Sequence, residues 1–220
     1  MRLRNRADAA RELAVRLAAW KGQDPLVLAV PRGALPMGAI LAEELGGELD
    51  VVLVHKIGAP GNPEYAIGAV DENGEVAMRP AAWREAGNAA YVEAETARQL
   101  ATLRERRARY TPGRGPADSR DRVTIVVDDG VATGATLMAA LDLVRRQQPR
   151  RLIAALGVAP RETLTELARH ADEVVCLATP SPFFAVGQFY DDFRQVEDEE
   201  AVAILRVAAA RRRAAGDDTG

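Results

Sequence analysis

Short apolar runs recur along the chain at residues 26–30, 50–55, 123–127, 151–158 and 173–178. They are rich in Val, Ile and Leu and show little polar alternation, as strands buried on both faces of a parallel sheet do. Between them the apolar spacing changes to that of helices. Ala10, Leu13, Ala14, Leu17 and Ala18 define an amphipathic helix over 6–20. Further helices are read over 36–45, 88–110, 135–146, 160–170 and 198–213. From residue 120 onward the order is β-α-β-α-β, which predicts parallel strands with right-handed crossovers. Residues 57–70 read as a Gly/Pro-rich loop returning to a short strand. A turn at 72–74 then joins antiparallel strands at 66–70 and 75–78. Pro80 opens a helical region, and residues 111–120, TPGRGPADSR, form a polar linker.

The expected architecture is α/β: a mainly parallel central sheet flanked by helices, with a small hood or insert subdomain. Residues 1–195 form the main domain. It includes a helical insert with linker at 79–118 and a hood segment at 179–195. Residues 196–220 add a C-terminal helix and a tail that frays from 214.

With 220 residues, 48% of them hydrophobic, the chain can bury one sizeable core. A net charge of −3 gives no electrostatic reason to expect nucleic acid. No apolar run approaches membrane-spanning length, and the N-terminal arginines precede no apolar signal core. The single cysteine, Cys176 in EVVCLA, excludes an internal disulfide and suits a reducing compartment. It reads as a buried strand residue. The two histidines belong to no cluster of metal-ligand spacing. A soluble cytoplasmic protein that binds neither nucleic acid nor membrane is expected.

The chemistry concentrates in residues 123–137, VTIVVDDGVATGATL. A buried strand ends in two carboxylates, Asp128 and Asp129. A turn with Gly130, Val131, Ala132, Thr133 and Gly134 follows, and Ala135 and Thr136 open a helix. Such a loop lies at the carboxyl edge of the sheet, where open α/β folds bind ligands. Unpaired N–H groups at the helix start favour a phosphate, and the threonine hydroxyls can donate to it. The two carboxylates suit the vicinal hydroxyls of a sugar. Neither Gly-Lys-Ser/Thr nor Gly-x-Gly-x-x-Gly is present, so the string is neither a Walker A loop nor a dinucleotide fingerprint.

This stretch resembles the phosphoribosyl pyrophosphate (PRPP) loop of type I phosphoribosyltransferases. PRGALPMG, HKIGAPGNPEYAIGAV and AVGQFYDDF resemble features of bacterial phosphoribosyltransferase-domain proteins whose acceptor is unassigned. The resemblance covers most of residues 1–195 and implies transfer of a phosphoribosyl group to a nitrogenous acceptor, with release of pyrophosphate. Asp128 and Asp129 would hold the ribose hydroxyls, and Gly130 to Thr136 the 5′-phosphate. Arg32, Gly33 and Ala34 would take the pyrophosphate, with Lys56 reaching it from another strand end. A non-proline cis peptide is expected near Pro31–Arg32. Glu64 and Tyr65 would belong to a loop closing over the site, Glu64 as a weak candidate base. Mg²⁺ would arrive with PRPP, near Asp128 and Asp129 but with no ligand set of its own, and a homodimer fits the family.

In hypoxanthine-guanine enzymes an Asp stands where this chain has Ala132, so a mechanism using that carboxylate is not expected. Adenine enzymes carry Ala there. A PRPP- or nucleotide-sensing regulator without catalysis, or another sugar-phosphate enzyme, remains open as an alternative.

Other features keep two readings. Arg98, Arg104, Arg106, Arg107 and Arg109 form either a solvated helix face or a contact to an anion. Phe183, Phe184, Phe189, Tyr190 and Phe193 either stack on a planar base or anchor the C-terminal segment. His55 and His170 read as structural, His170 as a helix cap.

Overall fold

A computed structural model of the protein describes residues 2–78 and 89–217; the side chains of Pro63, Glu64 and residues 215–217 lie outside that description. Along the chain the strands are β1 (Leu26–Ala29), β2 (Glu48–Val51), β3 (Val54–Ala59), β4 (Asn62–Asp71), β5 (Val76–Met78), β6 (Val123–Gly130), β7 (Arg151–Val158) and β8 (Glu173–Ala178). The helices described are α1 (Arg6–Arg16), α2 (Leu35–Leu45), α3 (Ala89–Tyr110), α4 (Ala135–Arg146), α5 (Arg161–Leu167) and α6 (Asp198–Asp217).

Five strands form a parallel sheet of order β2-β1-β6-β7-β8. The apolar runs follow from helices covering both faces. Val27, Ala29, Ile125, Val127 and Ile153 pack with residues of α1 and α2. Their neighbours Leu26, Leu28, Val126, Leu152 and Ala154 pack with α4 and α5. Successive side chains of a strand point to opposite faces, so each strand must be apolar throughout.

From β1 the chain winds outward to β2, and from β6 it winds the other way to β7 and β8. The strand order therefore reverses between β1 and β6, which run in register with Ala29 opposite Val127. At such a point two loops diverge and leave a crevice.

Several boundaries differ from the sequence reading. The run at 50–55 is two strands in two sheets: β2 ends at Val51, and β3 begins a separate antiparallel sheet of order β3-β4-β5. Burial on both sides of the break makes one continuous apolar run out of two elements. The loop at 57–70 is a hairpin of β3 and β4 turning at Pro60 and Gly61. The helix at 6–20 stops at Arg16 and is followed by a 3₁₀ turn at Ala18–Trp20. The terminal helix continues to Asp217, past the expected fraying point. The helical start expected at Pro80 lies outside the described residues.

The arginine-rich helix α3 is fastened to both sheets by one side chain. Arg107 is buried and donates to Asp50 Oδ1 at 2.7 Å, to the Val51 carbonyl at 3.1 Å and to both Glu72 oxygens. Asp50 is fully buried and also accepts from the Ala117 N–H at 2.8 Å, while Arg114 lies 3.1 Å away. The solvated-face reading thus fails for Arg107, although Arg98 and Arg109 are exposed and paired on the surface. Removing one member of a buried ion pair leaves its partner's charge uncompensated. Arg107→Met is therefore expected to lower stability by about 3–5 kcal/mol, read as a lower urea midpoint with unchanged slope. A change within about 0.5 kcal/mol, the range of an ordinary surface substitution, would show that the clamp contributes nothing.

Candidate active site

The loops after β1 and β6 bound a cleft of about 430 Å³, lined by Val30, Pro31, Gly33, Ala34 and residues 128–137. Asp128, Asp129, Gly130, Val131, Ala132, Thr133, Gly134, Ala135 and Thr136 therefore come together with Gly33 and Ala34, as the sequence implies. The Pro31–Arg32 peptide is cis, at the expected position.

The floor of the cleft is built for an anion. Gly134 adopts φ +71° immediately before α4, a conformation that costs a residue bearing a Cβ. Gly134 offers no side chain to cap α4, so the first N–H groups of the helix face the cleft uncapped. Ala132, Thr133, Ala135 and Thr136 are exposed around it. The loop is pinned from outside: the Thr163 hydroxyl donates to the Ala132 carbonyl at 2.7 Å, and the Val131 N–H to the Val158 carbonyl at 3.0 Å.

The two carboxylates differ in their surroundings. Asp128 accepts from the Gly130 N–H at 3.2 Å. Burial, and next the adjacent Asp129 charge, hold its carboxyl well above the ordinary carboxylate range. Asp129 is buried and its Oδ2 accepts from Arg6, with both Nε and Nη2 at 2.7 Å. The remaining arm of Arg6, Nη1, donates to the Arg194 carbonyl at 2.7 Å, and the guanidinium lies 3.9 Å from the centre of the Phe193 ring. The Tyr190 hydroxyl donates to the Asp129 carbonyl at 2.6 Å. Burial, then the Asp129 charge, push the Tyr190 phenol far above its ordinary range, so it remains a donor.

Arg6 was not among the sequence-derived site residues, yet the chain carries a signal for it. It falls on the apolar stripe of α1, four residues before Ala10 and seven before Leu13. It is also a cation in the first turn, where the helix dipole disfavours one.

The other expected residues stand elsewhere. Arg32 turns away from the cleft lining and pairs with Asp198 at 3.4 Å and Glu197 at 3.8 Å. It borders a neighbouring cavity of about 480 Å³ with Arg106, Arg109 and Tyr110. Lys56 is exposed on β3 of the small sheet and is not part of the cleft lining. Glu64 lies on β4, with its side chain outside the described residues; Tyr65 is partly exposed.

Four of the five clustered aromatics pack in pairs, Phe183 with Phe189 and Tyr190 with Phe193. Phe184 alone of the five is largely exposed, at 80%. His170 lies beyond the end of α5 and meets Asp142 of α4 at 2.6 Å, joining two helices. Cys176 is half-buried, and burial raises its thiol.

The Asp128 shift has a definite sign. A carboxyl raised in the folded state contributes stability that is full below its unfolded value, near 3.8, and is lost as pH rises through the folded value. Relative to Asp128→Asn, the unliganded wild type should lose thermal stability from about pH 4 upward. A stability difference between the two proteins that stays constant with pH would show that the Asp128 carboxyl is not raised, and a wild type that gains stability relative to the variant as pH rises would show the opposite environment.

Three comparisons bear on this geometry. The sequence profile of the phosphoribosyl transferase domain matches residues 2–194. Proteins provisionally named phosphoribosyl transferases in two Mycobacterium tuberculosis strains, CDC 1551 and H37Rv, are 41% identical over 202 residues, covering 91% of this chain. The chain spans about half the length of these curated relatives, 46%. A crystal structure of a Thermus thermophilus protein matches at 48% identity and a TM-score of 0.86, over 93% of this chain and 98% of that one. No helix among the described residues is long and apolar enough to cross a membrane. With the switch-point cleft, the acidic strand end and the anion-ready turn all in one matched region, the chain belongs to the phosphoribosyl transferase domain family.

Proposed function

We propose that this chain transfers the 5-phosphoribosyl group of PRPP to a nitrogenous acceptor resembling a nucleobase, releasing pyrophosphate. The observation that carries this reading is the convergence, in one cleft, of a carboxylate pair and an uncapped helix start at the β1–β6 switch point. The helix start and the hydroxyls of Thr133 and Thr136 receive the 5′-phosphate. At the acidic end of β6, Asp128 accepts hydrogen bonds from the ribose hydroxyls, while Asp129 is already committed to Arg6. The loop at 32–34 faces the pyrophosphate through its backbone, because the Arg32 side chain is held by Asp198 and Glu197. Arg32 and Lys56 reach the leaving group only by moving from the positions described.

In the reaction, the bond from C1 of the ribose to the pyrophosphate oxygen breaks. A bond from C1 to the acceptor nitrogen forms, and the acceptor's proton leaves to a base. Anchoring the phosphate and the hydroxyls on fixed loops sets C1 in place before the acceptor arrives.

The residues present fit a magnesium ion brought by PRPP. Asp128 offers a hard oxygen donor at the cleft with Asp129 beside it, and no cluster of three or more metal-ligating side chains is found among the described residues. One or two carboxylates plus substrate phosphate oxygens is the usual arrangement for this ion. When bound, it would neutralise pyrophosphate charge and ease departure of the leaving group.

One observation favours a second reading, a PRPP- or nucleotide-sensing protein without turnover. Both cations expected at the pyrophosphate, Arg32 and Lys56, lie outside the cleft lining. Calorimetric titration of PRPP with Mg²⁺, followed by a screen of nucleobase-like acceptors for pyrophosphate release, separates the two. Binding with acceptor-dependent release supports transfer, and binding without release supports sensing. Absence of binding by folded wild type would refute both.

Phe184, exposed two residues before Val186, which lies beside Gly130, offers a flat surface for a planar acceptor. Phe184→Ala should leave PRPP affinity and melting temperature unchanged while raising the acceptor KM by about tenfold, the effect of losing about 1–2 kcal/mol of stacking. Glu64→Gln should lower kcat if Glu64 is the base. Unchanged turnover would remove it from that role.

A further inference from the structure

The acidic pair at the end of β6 is two residues with different surroundings, and Arg6 is the reason. We infer that Arg6 and Asp129 form a positioning pair that sets both ligand loops, and that Asp128 alone of the two carboxylates is the ribose contact. This deepens the PRPP reading and rests on it for the identity of the ligand.

The pair lies where the two loops meet. Asp129 Oδ2 is so close beneath Gly33 that a Cβ on that residue would stand 2.5 Å from it, and 3.4 Å from Arg6 Nη2. Gly33 is thus seated directly on the ion pair. The other loop begins at Asp129 itself, whose carbonyl takes the Tyr190 hydroxyl. The guanidinium is held by contacts on three sides: the carboxylate, the Arg194 carbonyl and the Phe193 ring. Such a planar fork cannot be replaced by an ammonium without losing contacts. With side chains only 10% and 11% exposed, the pair is largely withdrawn from water. Both carboxylates line the cleft, but Asp128 accepts from the Gly130 N–H and meets no cation among the described residues, so its oxygens are not committed to an ion pair.

A chain of contacts follows. α1 supplies Arg6, β6 supplies Asp129, the β1 loop rests on them through Gly33, and residues 190–194 close the far side. A segment before the first strand and a segment after the last are therefore joined through the floor of the ligand cleft. Arg6 is a positioning residue because nothing in this geometry brings it to the ligand itself.

The test uses the full chain, PRPP with Mg²⁺ as probe, and calorimetry. Arg6→Met and Asp129→Asn should each weaken PRPP binding by about tenfold, and the double variant should be no weaker than either alone, because they break one interaction. Arg6→Lys should recover part of the loss. Asp128→Asn should add its own loss on top of Arg6→Met. Leu13→Ala, which loosens the same helix without touching the pair, should stay within about twofold of wild type. Additive losses for Arg6→Met and Asp129→Asn, or an equal loss in Leu13→Ala, would overturn the assignment.

A crystal structure of Arg6→Lys without ligand tests the pair independently of PRPP. Displacement of the Asp129 carboxylate together with residues 31–34 is expected, and an unmoved loop would overturn the inference. Failure of wild type to bind PRPP would count against the proposed substrate alone.

Discussion

Two adjacent carboxylates at the end of a buried strand cannot both be left bare. Close like charges with restricted access to water repel, and each needs a partner or a proton. The protein resolves this asymmetrically. Asp129 receives a guanidinium at 2.7 Å, while Asp128 keeps a backbone N–H and a raised carboxyl pKa. That asymmetry organises the cleft. The charged pair forms a floor on which Gly33 sits, and the unmatched carboxylate faces the space where a ligand hydroxyl or a cation would be stabilised.

The surrounding fold holds this arrangement still. β1 and β6 run side by side with helices over both faces, so the loops at their ends have fixed anchors. The Thr163 hydroxyl and the Val158 carbonyl hold the phosphate-type turn from the flank, outside the cleft. The small antiparallel sheet joins the main one through Arg107, Asp50 and Glu72. Rigid anchors with exposed loop faces suit a site that must orient a flexible sugar phosphate.

The central part of this arrangement was legible in the sequence because it is local. A β-branched run, two acids, a glycine turn and two hydroxyls within fifteen positions specify strand, edge and helix start together. The loop at 31–34 was legible for the same reason. What escaped depends on distant segments. Whether 50–55 is one strand or two depends on a second sheet, which apolar spacing cannot register. Where the Arg32 side chain points depends on Asp198, more than 160 residues away. Arg6 was read as the edge of an ordinary helix, since its partner lies 123 residues downstream. The aromatics were ambiguous because packing and stacking call for the same side chains; only exposure separates Phe184 from the rest.

The measurement that bears most directly on the central claim is a crystal structure of the protein with PRPP and Mg²⁺ bound. The account requires the 5′-phosphate in the turn at 130–136, the ribose hydroxyls on Asp128, and Asp129 still joined to Arg6 beneath Gly33. A 5′-phosphate seated elsewhere, or Asp129 released from Arg6 to take the ribose, would contradict it.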